Sequence, residues 1–213
     1  EVIGWDLPEI DIVEKSQLEE KITGLKPQII INAAAYNAVD RCEEEEAEFE
    51  KAKKLNALAP GYLAVIAKEM KAVFVHFSTD YVFGGVPPKE HVFGYEKARG
   101  FKEDDQPSPL QKYGWTKLWG EEKVQSVGGQ YFIIRTQRLF GRAGSSILAK
   151  KSFFEKMLLE SRVKKEIKVV DDEVSDFTYV PDLAGQTKDL IESWAPNSSP
   201  GIYHIFNEGQ PVS

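Results

Sequence analysis

Ala72 to Phe83 reads AVFVHFSTDYVF. Its first part is apolar and β-branched, the pattern of a strand buried on both faces. Two hydroxyls, a carboxylate and a phenol follow in a row, Ser78, Thr79, Asp80 and Tyr81. A buried strand that stops in such a cluster predicts the carboxyl end of a central parallel strand, where ligands bind in α/β sheets.

Working outward, short apolar runs alternate with longer segments of helical period. QIIINAAA (Gln28 to Ala35), YFIIRT, EIKVVDD and GIYHIF read as further strands. Helices are expected over a segment including Ala57 to Met70, from about Leu110 to Ser126, from about Ser146 to Ser161, and from near Pro181, where proline suits a first turn. Glu43 to Glu46 reads as a solvated helix start. Alternation of this kind predicts an α/β fold with a doubly wound, mostly parallel sheet. NAAAYN, STDYVF and RTQRLFG all stand at strand ends, so the three are expected at one crevice.

Composition narrows the chemistry. The 213 residues carry a net charge of −7, with no long basic run, which argues against nucleic acid as a partner. Cys42 is the single cysteine and the three histidines are scattered, so neither a disulfide nor a metal site is expected. No apolar stretch reaches membrane-spanning length and no signal peptide is visible. A reducing cytoplasm is the expected compartment.

Tyr113 and Lys117 in YGWTK are four apart. On a helix they share a face. An ammonium near a phenol favours the phenolate and lowers its pKa, and such a tyrosine can exchange a proton with a substrate oxygen. The pair alone is a weak signal, because a short motif of this kind arises by chance. Its position downstream of Ser78-Thr79 and NAAA strengthens it. Each piece also has a plainer reading: a cap or turn for Ser78 and Thr79, tight packing for the alanines, a half-buried core aromatic for Tyr113.

Here the chain resembles the extended short-chain dehydrogenases/reductases and, within them, the dTDP-4-dehydrorhamnose reductase family. The resemblance rests on GWDLPEIDI, KPQIIINAAAYNAVDRCE, LNALAPGYLA, HFSTDYVFGG, EDDQPSPLQKYGWTKLWGE, IIRTQRLFG, VVDDEVSDFTYVPDLA and GIYHIFNEG, in the family's order over nearly the whole chain. It implies an NAD(P)-binding Rossmann fold and NAD(P)H as cofactor. It implies that Thr79, Tyr113 and Lys117 are catalytic, with Tyr113 protonating the C4 oxygen of a nucleotide sugar and Lys117 holding the nicotinamide ribose and lowering the Tyr113 pKa. Asp80, Tyr81, Thr79 and Arg138 are the implied substrate contacts. Asp6, Asp11, Ile12, Ala35, Tyr36, Asn37 and Phe77 are implied to line the cofactor along with Tyr113 and Lys117. Asp6 would accept hydrogen bonds from the adenosine ribose, its plainer reading being a turn residue before Pro8.

The family's first strand and Gly-rich phosphate loop are absent from these residues, and the family continues beyond NEGQPVS. The expectation is therefore a chain truncated at both ends, with a partial Rossmann core over 1–142 and remaining strands plus part of a substrate-binding region over 143–213. The stretch from Gly84 to Phe101 reads as a loop longer than the family norm. It could be a lid, a partner contact or a tolerated surface insertion. Arg138 stands where the family carries a tryptophan, and SDFTYVPDL is more like the sugar-nucleotide epimerases. The expected function is reduction of the 4-keto group of a nucleotide-activated deoxysugar in dTDP-rhamnose and polysaccharide synthesis, with a homodimer open as an assembly. The alternatives are a sugar-nucleotide epimerase, or a non-catalytic subunit resembling the regulatory subunit of methionine adenosyltransferase. A dehydratase is disfavoured, because Tyr81 follows Asp80 where a second carboxylate belongs.

Overall fold

Strand β2 (Val73–Thr79) is buried at every residue but the half-buried Phe77, as its apolar run requires. The computed structural model describes residues 1–84, 89–92, 95–98, 100–142, 144, 152–169, 176–193 and 200–209, with side chains for all but 89–92 and 95–98. The chain divides into two units. The larger comprises 10–135 and 199–204; the smaller comprises 1–9, 136–198 and 205–213.

In the larger unit, β2 lies inside a four-stranded sheet of order β1-β2-β5-β8. Strand β1 (Ile29–Asn32) pairs parallel with β2, Ile29 opposite Val73 and Asn32 opposite His76. Strand β5 (Tyr131–Thr136) pairs parallel with β8 (Gly201–His204), Phe132 opposite Gly201 and Arg135 opposite His204. Helices α1 (Lys15–Leu25), α4 (Ala59–Met70) and α5 (Lys112–Val127) cover one face. Leu18, Ile22, Leu63, Ile66, Phe74, Val124 and Ile133 form the core between helices and sheet. This is the parallel α/β class that the alternating pattern predicts.

The helix ends follow local chemistry. Pro60 follows a π-helical turn, Lys53–Leu58, in a helix that runs unbroken into α4, and α4 stops at Lys71 in the left-handed region at φ 57°. Short helices α2 (Val39–Glu44) and α3 (Glu46–Ala52) lead to a π-helical segment, Lys53–Leu58, before α4. Glu43 to Glu46 are exposed and span the junction between α2 and α3, rather than one helix start.

Three expectations change. Ile29 and Ile31 are 40% and 53% exposed, because β1 is an edge strand with one face uncovered among the described residues. The stretch after Gly84 is not all loop: β3 (Lys89–Val92) and β4 (Tyr95–Ala98) pair antiparallel within it. No strand forms over 166–169, and the remainder of EIKVVDD lies outside the described residues.

In the smaller unit, β6 (Leu139–Phe140) pairs parallel with β7 (Thr178–Tyr179). Helix α6 (Phe153–Ser161) opens with a capping box between Ser152 and Glu155, which satisfies two orphan N–H groups at once. The first residues expected for this helix, 146–151, lie outside the described ones. Helix α7 (Val180–Glu192) begins as Pro181 predicts. Phe140, Phe154, Phe177 and Tyr179 cluster edge to face or tilted.

Two glycines of α5 set how closely it approaches its neighbours. A Cβ on Gly114 would collide with the Tyr81 carbonyl, and one on Gly120 with the Asn56 carbonyl. Alanine inside a helix normally gains about 1 kcal/mol over glycine. Gly120→Ala is instead expected to cost about 1–3 kcal/mol through overpacking, measured by urea unfolding. Gly185→Ala on the exposed side of α7, where a Cβ meets nothing within 4 Å, is expected to gain roughly 0.5–1 kcal/mol in the same assay.

Candidate active site

Three consecutive residues at the carboxyl end of β2 meet three turns of α5. Tyr113, Lys117 and Glu121 are spaced by four, so one helix face presents all of them. The Lys117 ammonium donates to the Phe77 carbonyl at 2.6 Å. The Ser78 hydroxyl donates to Glu121 Oε1 at 2.5 Å. Thr79 acts on the Tyr113 phenol, drawing its pKa down against the effect of burial. The polar cluster that ends β2 is thus an interface with α5.

Around Thr79, the chain turns through a short 3₁₀ segment, Asp80–Val82. Thr79 Oγ1 accepts from the Tyr81 N–H at 3.2 Å and donates to Asp80 Oδ1 at 3.0 Å. The Tyr81 ring stands edge-on to Tyr113, centroids 5.5 Å apart. The Ser78 hydroxyl, in the same cluster, is spent on Glu121.

The Tyr113 pKa moves the opposite way from the expected lowering. Burial, then the Asp80 charge, pushes Tyr113 well above its ordinary value, with Thr79 opposing. Tyr113 therefore stands as a neutral phenol with a proton to give. Lys117 is 2% exposed. Burial pulls its pKa down to about 8, opposed by the Glu121 charge. Its ammonium is directed at the Phe77 carbonyl.

A second network joins the end of β1 to the same helix. Asn56, 1% exposed, accepts from the Tyr36 N–H at 2.8 Å and donates to the Tyr36 carbonyl at 2.9 Å and to Thr116 Oγ1 at 3.0 Å. Thr116 donates in turn to the Tyr113 carbonyl at 2.7 Å. The Tyr36 phenol donates to Glu48 Oε2 at 2.7 Å. Burial first, and then Glu48, pushes the Tyr36 pKa up to about 12. Ala33, Ala34, Ala35 and Asn37 are exposed, a shelf of small side chains on which a flat ring can approach the backbone. Two N–H donors of the Lys117 ammonium remain beyond the one given to Phe77. This donor set and shelf fit a nicotinamide riboside.

His76 is fully buried beside them. Asn32 Oδ1 accepts from the Ala34 N–H at 3.1 Å, so its amide nitrogen faces His76 Nδ1 at 3.2 Å. Nδ1 must then accept, and the neutral ring carries its proton on Nε2. Burial, then Lys117, holds the His76 pKa well below its usual value.

The other expected residues have local roles. Asp11 Oδ1 accepts from the Val13 N–H at 3.1 Å, and its own N–H donates to Gln17 at 2.6 Å. Ile12 packs against the core. Both shape the turn into α1. In the smaller unit, Asp6 accepts from the Leu7 N–H at 2.8 Å. Arg138 adopts φ 39° and lays its guanidinium 5.5 Å from the Phe177 centroid. Asp176 accepts from Gln137 at 3.4 Å.

The model of the RmlD substrate binding domain matches residues 1–213. The chain belongs to the RmlD substrate binding domain family. Among its relatives in that family, the dTDP-4-dehydrorhamnose reductase of Burkholderia thailandensis is 33% identical over 98% of this chain and 67% of its own length. The spore coat polysaccharide biosynthesis protein SpsK of Bacillus subtilis is 32% identical over 98% of this chain and 65% of its own. A dTDP-4-dehydrorhamnose reductase from Bacillus anthracis, solved in complex with NADP, superposes with a TM-score of 0.83 at 33% identity, over 99% of this chain and 66% of that one. The chain thus spans about two thirds of the length of these RmlD-family relatives.

Asn56, His76, Glu121 and Arg135 were not singled out from the sequence. Each does carry a signal there: a polar or charged residue inside an apolar helical or strand run must find a buried partner.

Lys117 also leaves a mark on stability. Its pKa is 10.5 in an ordinary setting and about 8 in the fold, so between these values the unfolded chain binds more protons and stability rises with pH. Between pH 8 and pH 10 the protein is expected to gain about 2 kcal/mol relative to Lys117→Met in urea unfolding.

Proposed function

We propose that this protein reduces the 4-keto group of a nucleotide-activated deoxysugar, with NAD(P)H as the hydride source. The observation that carries the reading is the neutral Tyr113 phenol, beside Thr79 and one helical turn from Lys117. The names of its relatives, dTDP-4-dehydrorhamnose reductases among them, support that substrate class. NAD(P)H supplies the hydride when bound.

The chain's own residues do the rest. Tyr113 gives its proton to the C4 oxygen as negative charge develops there. Thr79 acts on the phenol and steadies the proton's direction. Lys117, anchored on the Phe77 carbonyl, turns its remaining donors to the nicotinamide ribose. Ala35, Tyr36 and Asn37 hold the ring's side of the cofactor, with Phe77 facing them, while Asp6, Asp11 and Ile12 take its adenosine end. Asp80 and Tyr81 meet the sugar nucleotide, and Arg138 adds a planar fork of donors suited to an anionic group. The setting is the cytoplasm; among the described residues no helix is long and apolar enough to cross a membrane.

Tyr113→Phe is expected to cut kcat about 10²- to 10⁴-fold, the usual worth of positioned acid catalysis, with cofactor affinity nearly unchanged. Steady-state assays with dTDP-4-dehydrorhamnose, beside fluorescence titration of the reduced cofactor, check both halves. Wild-type turnover in the variant would remove Tyr113 from the role.

Asp6 predicts use of NADH, or little discrimination, because a carboxylate at the ribose repels a 2′-phosphate. The kcat/KM values for NADH and NADPH should favour NADH or lie close together. Asp6→Ala should move the ratio toward NADPH. A strong NADPH preference that survives the substitution would exclude Asp6 from the adenosine site.

A further inference from the structure

Glu121 and Arg135 are 1% and 3% exposed and pair within the larger unit. Arg135 Nη2 donates to Glu121 Oε2 at 2.7 Å, and Nε donates to Oε1 and Oε2 at 3.0 and 3.3 Å. The guanidinium is held from its other side as well. Nη1 donates to the Glu103 carbonyl at 3.4 Å, and the Phe83 ring lies 4.9 Å from its central carbon. Arginine is the residue for such a planar, forked contact, and the two-point geometry leaves the carboxylate no freedom to swing.

One more group fixes Glu121. The Ser78 hydroxyl donates to the oxygen that Arg135 Nε also contacts. Ser78 is itself buried, 5% exposed. The residue that follows is Thr79, and the helix that carries Glu121 also carries Tyr113 and Lys117.

We propose that Ser78, Glu121 and Arg135 form a positioning unit that sets where Thr79 stands against Tyr113. They act through the backbone of β2 and the axis of α5. Arg135 on β5 pins the Glu121 carboxylate, Glu121 pins the end of β2 through Ser78, and Thr79 is thereby held at the phenol. The Phe77 carbonyl, one residue earlier, is held in the same way by Lys117. The unit rests on the function read above only for its effect on turnover. Its effect on Tyr113 stands without it.

Replacing Glu121 would leave a buried guanidinium unpaired, and that variant is at risk of not folding. The test therefore uses Ser78→Ala, with Ser78→Thr as the conservative variant that keeps the hydroxyl. Ser126→Ala, at the far end of α5, is the control. The first readout needs neither substrate nor cofactor: the ¹³Cζ resonance of Tyr113 at neutral pH, assigned by its loss in Tyr113→Phe. It senses hydrogen bonding at the phenol oxygen. In Ser78→Ala it should move by more than its line width with the far-UV circular dichroism unchanged. In Ser78→Thr and Ser126→Ala it should stay at the wild-type position.

The second readout is turnover of NADH with dTDP-4-dehydrorhamnose. Ser78→Ala should lose kcat roughly ten- to a hundredfold, the scale of a misplacement of about 1 Å, with KM within about twofold and Ser78→Thr close to wild type. A Tyr113 resonance unmoved in Ser78→Ala overturns the proposal, whatever the rates. If the resonance moves as expected but the wild type shows no turnover, the positioning unit stands and the reading of the reaction falls.

Discussion

The structure depends on a charge pair that water cannot reach. Glu121 and Arg135 lie between α5 and the sheet, and the desolvation of two ions offsets much of what their attraction returns. Such a pair adds little net stability. Breaking it is another matter, since removing one partner from a buried pair typically costs about 3–5 kcal/mol. The pair therefore works as a constraint: only one placement of α5 over β2 and β5 satisfies both ions, and that placement puts Tyr113, Lys117 and Glu121 in step with Thr79, Phe77 and Ser78.

Much of this was legible. The apolar run of β2 and the spacing of YGWTK gave strand, helix and shared face, because buried parallel strands and amphipathic turns leave period and composition in the sequence. The protonation of Tyr113 was not legible. Two residues four apart say nothing of what lies between them, and here a backbone carbonyl takes the ammonium while Asp80 and burial act on the phenol. Asn56 was missed for a related reason: its partners are sixty residues away at Thr116 and twenty at Tyr36, and periodicity reports only neighbours. The β3–β4 hairpin sits in a stretch whose prolines and glycines read as loop, with its strands too short to impose a period of two.

Kinship with the RmlD substrate binding domain family adds what physics alone does not supply, named relatives from which a substrate class can be proposed. Geometry supplies what kinship alone does not, the reason each side chain stands where it does. Lys117 illustrates the join. Family resemblance calls it a cofactor residue, and the structure shows it buried, partly stripped of its charge preference and anchored on Phe77. An amine so held has its remaining donors aimed by the fold and not by its own flexible stem.

The π-helical segment Lys53–Leu58 carries a consequence for how this chain tolerates changes in length. A π turn arises when one residue is inserted into an α-helix. Asn56 lies within that widened turn, and its side chain meets Tyr36 on one side and Thr116 on the other. Deleting one residue of the turn ahead of Asn56 would restore ordinary α geometry, and each residue in an α-helix is turned by about 100° from the last. The amide of Asn56 would then swing away from both neighbours with no substitution at Asn56, Tyr36 or Thr116. The tie between the end of β1 and helix α5 is thus encoded as a count of residues as much as by their identity.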